Sequence, residues 1–220
     1  ISGMPDIPRM STSHVLNTRA VAIRVAEKYG RKYNEMNFIV AHLGGGISLN
    51  VHERGRIVDI VSDDEGAFSP EGSGRVPCRL LIELCYSGRY DKKTMLKKLR
   101  GNGGLKAYLG TTDAREIERM IEKGNERAKL IYEAMAYQVA KNIGELATVV
   151  EGKVDAIILT GGIAHSKMIT SWIKKRVQFI APVEIVPGEN EMESLAYGIL
   201  RVLRGEEKAR EYTESAASTI

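Results

Sequence analysis

The stretch NFIVAHLGGGISLNVHERGRIVDIV, residues 37–61, decides the fold of this 220-residue chain. It contains three short runs rich in apolar and β-branched residues, separated first by Gly44-Gly45-Gly46 and then by Glu53-Arg54-Gly55. Runs of this length joined by glycine-containing turns predict three consecutive antiparallel strands. The predicted strands are Asn37 to Leu43, Ile47 to His52 and Arg56 to Val61.

Downstream of these strands, helical and strand patterns alternate. Val154 to Leu159 is a continuous apolar run that ends in Thr160-Gly161-Gly162. The core order β-β-β-α-β-α-β-α predicts an α/β fold with a mixed sheet and helices on its faces. This is the order of the ribonuclease-H-like domain of the actin-like ATPase superfamily, here with helical insertions. The other predicted elements are helices over 14–29, 79–86, 91–99, 113–121, 125–150, 166–176 and 191–204 and a strand over 183–186.

Composition narrows the class of protein further. The chain is 43% hydrophobic and 27% charged, with a mean hydropathy of −0.20, which excludes disordered, collagen-like and disulfide-scaffold proteins. No apolar run approaches the roughly 18 residues of a membrane span, and the N-terminus lacks a signal-peptide pattern. We therefore expect a cytoplasmic protein with no membrane partner. We divide it into a lead-in segment and helix (1–36), an actin-like domain (37–205) and a flexible tail (206–220).

Neither the basic residues nor the cysteines indicate a special site. The net charge is only +4 and is scattered, and the densest basic patch, Lys92 to Arg100, is interpreted as a solvated helix face. Nucleic-acid binding is the weaker alternative for that patch, and we expect no nucleic-acid partner. Cys78 and Cys85 are seven residues apart in a helical stretch, too far for a disulfide. We predict buried, reduced thiols.

Two glycine-rich turns are the candidate ligand sites. His42-Leu43-Gly44-Gly45-Gly46-Ile47-Ser48 holds more glycines than a hairpin needs, which is expected where backbone N–H groups approach an anion. Gly161-Gly162-Ile163-Ala164 connects a buried strand to a helix N-terminus, a place that favours a nucleotide. Each turn also has a purely structural interpretation, a bulged hairpin or a plain strand-to-helix turn. The chain has no GxxxxGK[ST], GxGxxG, HExxH or GxSxG motif, which argues against P-loop, hydride-transfer, zinc-hydrolase and serine-hydrolase chemistry.

These motifs, in this order, resemble the acetate/butyrate kinase family, and most closely its butyrate-kinase members. The resemblance extends from Ile1 to about Lys208. Such kinases resemble two fused actin-like domains, and this chain resembles the second domain with the segment that leads into it. The matching segments are His42 to Ser48 (phosphate), Gly104 to Glu116 (nucleotide, through Asp-x-Arg), Leu159 to Ala164 (adenosine), Phe179 to Val183 and Leu200 to Glu207.

The resemblance implies a carboxylate kinase that transfers the γ-phosphoryl group of ATP to a short-chain, butyrate-like fatty acid in the presence of Mg²⁺. The alternative is a non-catalytic nucleotide-binding module or partner subunit that lacks the N-terminal domain. A homo-oligomer or a complementing N-terminal domain is the expected partner, beside the carboxylate substrate. The implied nucleotide-binding residues are His42, Gly44, Gly45, Gly46, Asp113, Arg115, Gly161, Gly162, Ile163 and Ala164, and the implied Mg²⁺ residue is Glu191.

One departure from the family concerns an arginine. The family places it just before the Ser-Gly of the loop after the third strand, where this sequence has Gly72, and the nearest arginine is Arg75. We therefore assign to Arg75 and His14 the neutralisation of charge on the transferring phosphoryl group. Each of these residues also has a structural interpretation that needs no ligand. Asp113 would be an N-cap, Glu191 a first-turn acid and His14 a helix-start residue, while Arg115 and Arg75 would be exposed to solvent. Of the remaining candidates, His52 would lie on a strand surface, and Met135 and Trp172 would be packing residues.

Overall fold

The sheet is mixed, as the sequence predicts. A computed structural model describes residues 1–189 and 191–209, and in that part of the chain five strands form one sheet. They are β1 (Asn37–Leu43), β2 (Ile47–Glu53), β3 (Arg56–Val61), β4 (Ala156–Gly161) and β5 (Val183–Pro187). Their order is β3-β2-β1-β4-β5, with β1, β2 and β3 antiparallel and β4 parallel to both β1 and β5.

Eight α-helices accompany the sheet in the described residues. Residues 1–189 form one compact unit that contains the sheet and the first seven helices, and the last helix belongs to a second unit. The helices are α1 (Val15–Lys28), α2 (Cys78–Tyr86), α3 (Lys92–Leu99), α4 (Gly104–Leu109), α5 (Ala114–Glu122), α6 (Glu126–Ala147), α7 (Lys167–Val177) and α8 (Glu191–Leu203). None of them is long and apolar enough to span a membrane.

The two faces of the sheet pack against different helices. Side chains alternate along a strand, so Ile39 and Ala41 join one core with α6 and α7, whereas Phe38 and Val40 join another with α1. Both cores are closed to solvent at the centre of the sheet. The alternation also directs His42, the next even-numbered residue of β1, toward α1.

Three predictions about local structure are wrong. Cys78 and Cys85 are exposed, because α2 buries none of its residues in the described part of the chain. His52 is fully buried, because Tyr33 of the lead-in segment covers it and its hydroxyl lies 2.7 Å from His52 Nδ1. The break predicted over Gly101 to Gly104 ends in the extra helix α4, whose Leu105 is buried.

Other interpretations are confirmed. Lys92, Lys93 and Lys97 are exposed on α3, as expected of a solvated helix face. Met135 is buried and Trp172 packs against the same core, so both are packing residues. The long predicted helix over 125–150 ends slightly early, because its last three residues form a 3₁₀ turn.

Candidate functional site

Two stacked histidines lie at the end of β1. The rings of His14 and His42 are 3.7 Å apart between centroids and inclined by only 8°. His42 reaches this place through the strand alternation, and His14 precedes the first turn of α1. The register pairs His42 with Ser48 of β2, and Ser48 Oγ lies 2.9 Å from His14 Nδ1. The first helix and the first hairpin therefore meet at one imidazole pair.

A buried asparagine fixes the proton position on His42. Asn17 is 1% exposed, and its amide nitrogen donates to the backbone oxygen of Glu189 at 2.5 Å. Its Oδ1 is thus left to accept from His42 Nδ1, 3.1 Å away, so Nε2 of a neutral His42 bears no proton. Burial, and then the neighbouring His14, lower the pKa of His42 to about 4. At neutral pH the 3.7 Å contact between His42 Nε2 and Glu189 Oε1 is therefore not an ion pair.

The glycine loop between β1 and β2 has one glycine whose surroundings are crowded and two that have room around them. A Cβ on Gly44 would lie 3.0 Å from His42 Nε2. On Gly45 the nearest heavy atom would be Glu71 Cδ at 3.9 Å, and on Gly46 it would be His14 Cε1 at 4.0 Å. The protein itself has room for side chains at the last two positions, so their absence leaves the backbone open to a ligand.

A polar cleft of about 290 Å³ opens beside this loop. Gly45, Gly46, His14 and Ser48 line it on one side, and Arg100 and the acidic residues Asp63 and Glu71 are among those that line the rest. The cleft thus combines backbone, imidazole, hydroxyl and guanidinium groups, which are the groups that bind phosphate.

Arg75 does not line this cleft. Its guanidinium donates to the backbone oxygen of Glu65 at 2.6 Å and to both carboxylate oxygens of Glu145 at 3.2 Å. It borders an adjacent cavity of about 900 Å³. Asp63 and Arg100 line that cavity too, but none of the predicted nucleotide-binding residues does. The sequence predicts one role for Arg75 and His14, but the structure separates them because Glu145, on α6, holds the arginine elsewhere.

The second glycine turn lies directly beside the first. β1 and β4 are parallel, with His42 paired to Thr160, so both turns leave the same edge of the sheet. Gly161 has φ +89°, and a Cβ there would come within 2.4 Å of Leu43 O, so packing requires this glycine. Gly162 has nothing within 4 Å of such an atom. Ile163 and Ala164 continue in a 3₁₀ turn that leads to α7.

Asp113 and Arg115 form the start of α5. The Asp113 carboxylate accepts from the Arg115 backbone N–H at 2.9 Å and from its guanidinium at 2.8 and 3.0 Å, so the N-cap interpretation is confirmed. The hydrogen bonds from Arg115 lower the pKa of Asp113 to about 2. Glu118, one turn later, accepts hydrogen bonds from Ser166 and from Tyr132. Because Ser166 is the N-cap of α7, Glu118 links α5 to the helix that follows the second glycine turn.

The predicted Mg²⁺ ligand, Glu191, cannot be located relative to the cleft. Glu191 is the first residue of α8, and its side chain lies outside what the structure describes. Among the described residues, no group of three or more His, Cys, Asp or Glu side chains could hold a metal ion. Mg²⁺ bound by one or two carboxylates and the phosphates of a nucleotide would not need such a group.

Asn17 and Arg100 were not predicted as site residues, and Ser48 was predicted only as the last residue of the phosphate segment. Asn17 carried a readable signal, since it follows His14 by three residues on one helix face. Arg100 carried none, because it reaches the cleft only through a pairing between distant loops.

Comparisons with known proteins agree with this geometry. The model of a family described as the acetokinase family matches residues 9–194. Butyrate kinase 2 of Clostridium acetobutylicum is 52% identical over 213 residues, which are 96% of this chain and 60% of that protein. Among solved structures, acetate kinase of Porphyromonas gingivalis (TM-score 0.79, 23% identity) covers 91% of this chain, which spans 61% of that chain. A propionate kinase of Francisella tularensis (TM-score 0.74, 21% identity) covers 83%, and the chain spans 53% of it. At these identities the two structures show the actin-like α/β fold, and the chain spans about 60% of the first relatives' length.

Proposed function

The chain belongs to the acetokinase family, and from this premise we propose that it is the nucleotide-binding, C-terminal part of a carboxylate kinase. One observation carries the proposal. The glycine loop with its histidine pair and the turn at Gly161–Ala164 adjoin at one edge of the sheet, where α/β proteins bind ligands. Two segments far apart in sequence thereby offer open backbone to one ligand.

The reaction we propose is phosphoryl transfer from ATP to a carboxylate. A carboxylate oxygen forms a bond to the γ-phosphorus, and the bond from that phosphorus to the bridging oxygen breaks, so ADP leaves with the electron pair. The products are an acyl phosphate and ADP. No proton has to move, because a carboxylic acid is ionised near neutral pH. Catalysis then depends on positioning and charge neutralisation.

The chain has fitting groups for the phosphates of ATP. Gly45 and Gly46 offer backbone without side chains, and Ser48 accepts the backbone N–H of His14. A neutral His14 whose Nδ1 accepts from the Ser48 hydroxyl carries its proton on Nε2, a donor for a phosphate oxygen. His42, neutral at pH 7, orients His14 through the stack rather than contributing charge.

The nucleoside and the metal would be held by other segments. The nucleoside is assigned to the turn at Gly161–Ala164 and to Asp113 and Arg115, whose mutual ion pair would open or turn toward it. Bound Mg²⁺ would offset negative charge on the phosphates, with Glu191 as its protein ligand.

The substrate and partner are further parts of the proposal. The 52% identity to a protein named butyrate kinase supports a short-chain carboxylate as acceptor. The chain spans 60% of that relative, so we assign the complete reaction to this chain together with a complementing N-terminal domain. A homo-oligomer of this chain is the alternative partner arrangement. We place the reaction in the cytoplasm.

Nucleotide binding by the 220-residue chain tests the proposal directly. Isothermal titration with Mg-ATP is expected to show saturable binding, weakened about tenfold or more by Gly162→Ala, since a methyl group there would meet the ligand but no protein atom. Gly144→Ala is the matched control, because it also adds a methyl group in open space, on α6. A folded chain that binds no Mg-ATP would contradict the proposal.

A non-catalytic nucleotide-binding module is the second candidate, favoured by Gly72 in place of the family's arginine. Trapping of acyl phosphate with hydroxylamine, in the presence of Mg-ATP and butyrate, separates the two. Hydroxamate above a no-enzyme control would mean that the chain catalyses transfer. Nucleotide binding without hydroxamate would mean a module that needs its complementing domain.

A further inference from the structure

Gly72 and Arg100 face each other across a short antiparallel pairing of two loops. The next residue along, Ser73, donates its backbone N–H to Leu99 O at 2.8 Å, which fixes the register. Residues directly opposite in such a pairing start their side chains about 5 Å apart. Arg100 therefore extends from beside the position where the resemblance places an arginine and this chain has glycine.

The guanidinium of Arg100 has fewer partners than those of two nearby arginines. Arg9 donates to the carboxylate of Glu65 and Arg75 to that of Glu145. The backbone N–H of Arg100 donates to Leu96 O at 2.9 Å. Among the described residues its guanidinium makes one ion pair, from Nε to Asp63 Oδ2 at 3.3 Å. Its side chain is 76% exposed, so its terminal nitrogens are free to bind a ligand.

Arg100 is also the one permanent cation among the described residues that line the polar cleft. The cleft contains two carboxylates, Asp63 and Glu71, which repel an incoming phosphate. A guanidinium beside them offsets that repulsion and presents a planar fork of donors that matches two phosphate oxygens.

We propose that Arg100, and not Arg75, neutralises the charge of the terminal phosphoryl group in the polar cleft, in the space beside Gly72. The inference rests on the proposed function and names a residue that nothing in the family motifs marks. The phosphoryl group would lie between Arg100 on one side and His14 with the glycine loop on the other. When it binds, Arg100 exchanges its ion pair with Asp63 for phosphate oxygens.

The affinities of the full chain for Mg-ATP and Mg-ADP, measured by isothermal titration, test this inference. Arg100→Gln is expected to weaken Mg-ATP binding by about 10- to 100-fold, the range for a lost charge-assisted hydrogen bond. Mg-ADP, which lacks the terminal phosphoryl group, should change by less than about twofold. Arg100→Lys keeps the charge without the planar fork, so an intermediate loss is expected. Lys97→Gln is the matched control, since it removes an exposed positive charge from α3, the helix that ends just before Arg100.

The outcomes separate this inference from the proposed function. If the unmodified chain binds neither nucleotide, the proposed function fails and Arg100 loses its role with it. If both nucleotides bind and Arg100→Gln has the same ratio of Mg-ATP to Mg-ADP affinity as the unmodified chain, only the role of Arg100 is overturned. An equal loss of both nucleotides would indicate a structural role and also overturn it, as would a selective loss of Mg-ATP in Arg75→Gln.

Discussion

Single residues explain why the two turns are so rich in glycine. Gly161 is required by the protein itself, since a Cβ would clash with Leu43 O, and a Cβ on Gly44 would lie only 3.0 Å from His42 Nε2. Gly45 and Gly162 are not required, because a Cβ on Gly45 would make only an ordinary contact with Glu71 and one on Gly162 would have nothing within 4 Å. The sequence predicts that some of these glycines serve a ligand. It cannot tell which ones, because the neighbours of each missing Cβ come from distant segments.

Asn17 sets the protonation of His42, and this can be observed by NMR. We predict that His42 is neutral at pH 7, carries its proton on Nδ1 and titrates with a pKa of about 4, because it is buried and Asn17 Oδ1 accepts from Nδ1. Asn17→Asp places a carboxylate at that nitrogen and is expected to raise the pKa by at least about one unit. Long-range ¹H–¹⁵N spectra recorded over a pH series report both the tautomer and the pKa.

Asn17→Leu is the companion variant, of similar size but without an acceptor. The buried Nδ1–H would lose its partner, so the tautomer should shift toward Nε2–H and the free energy of unfolding should fall by about 1–3 kcal/mol. The exposed His165 supplies an unaffected reference signal in the same spectra. A His42 that titrates near 6.5 in the unmodified chain would disprove this account of the pair.

Among elements, those defined by local sequence signals are the ones that could be predicted. β1 and the helix α6, capped by Asn125, were predicted within a few residues. The helix α2 was also predicted, but the exposure of its cysteines was not. Amphipathic spacing identifies an apolar face but not what packs against it. α4 was missed because a helix that begins at a glycine has no local start signal.

Glu118 is predicted to hold two elements of the site together. It accepts hydrogen bonds from Ser166 of the α7 cap and from Tyr132 of α6, so Glu118→Ala leaves both hydroxyl groups without this partner. We expect the free energy of unfolding to fall by about 1–3 kcal/mol in urea titrations, and Mg-ATP to bind more weakly as α5 loosens from α7. Glu122→Ala, at an exposed position of the same helix, controls for loss of a charge. Equal stability of the two variants would refute the link.

At the scale of the whole molecule, the fold was more predictable than the site. The β-β-β-α-β order follows from periodicity, and the parallel register of β1 with β4 then brings both glycine turns to one edge. Which charged residues reach that edge depends on loop pairings, such as that of Gly72 with Arg100, which no periodicity reports. For this reason the sequence favoured Arg75, the arginine nearest along the chain, while Arg100 is the one that lines the cleft.

Buried histidines make the stability of the whole molecule depend on pH. His52 is fully buried with its Nε2 unpaired among the described residues, and burial, followed by the nearby Arg19, lowers its pKa to about 3. Because the unfolded chain binds this proton below about pH 6.5 and the folded chain does not, the stability is complete above pH 6.5 and decreases toward pH 3. Between pH 7.5 and pH 5 the loss from His52 alone is about 2 kcal/mol.

His52→Phe removes the imidazole that binds this proton in the unfolded chain, and with it this part of the pH dependence of stability. The difference in unfolding free energy between His52→Phe and the unmodified chain, from urea titrations, should therefore shift by about 2 kcal/mol in favour of the variant between pH 7.5 and pH 5. His42 contributes to the pH dependence of stability with the same sign in both proteins, so its contribution cancels in the difference. Carboxylates with lowered pKa values, such as Glu65, change the stability only at lower pH. A pH-independent difference for His52→Phe would show that His52 does not resist protonation in the folded protein, because only a proton bound unequally by the two states makes stability depend on pH.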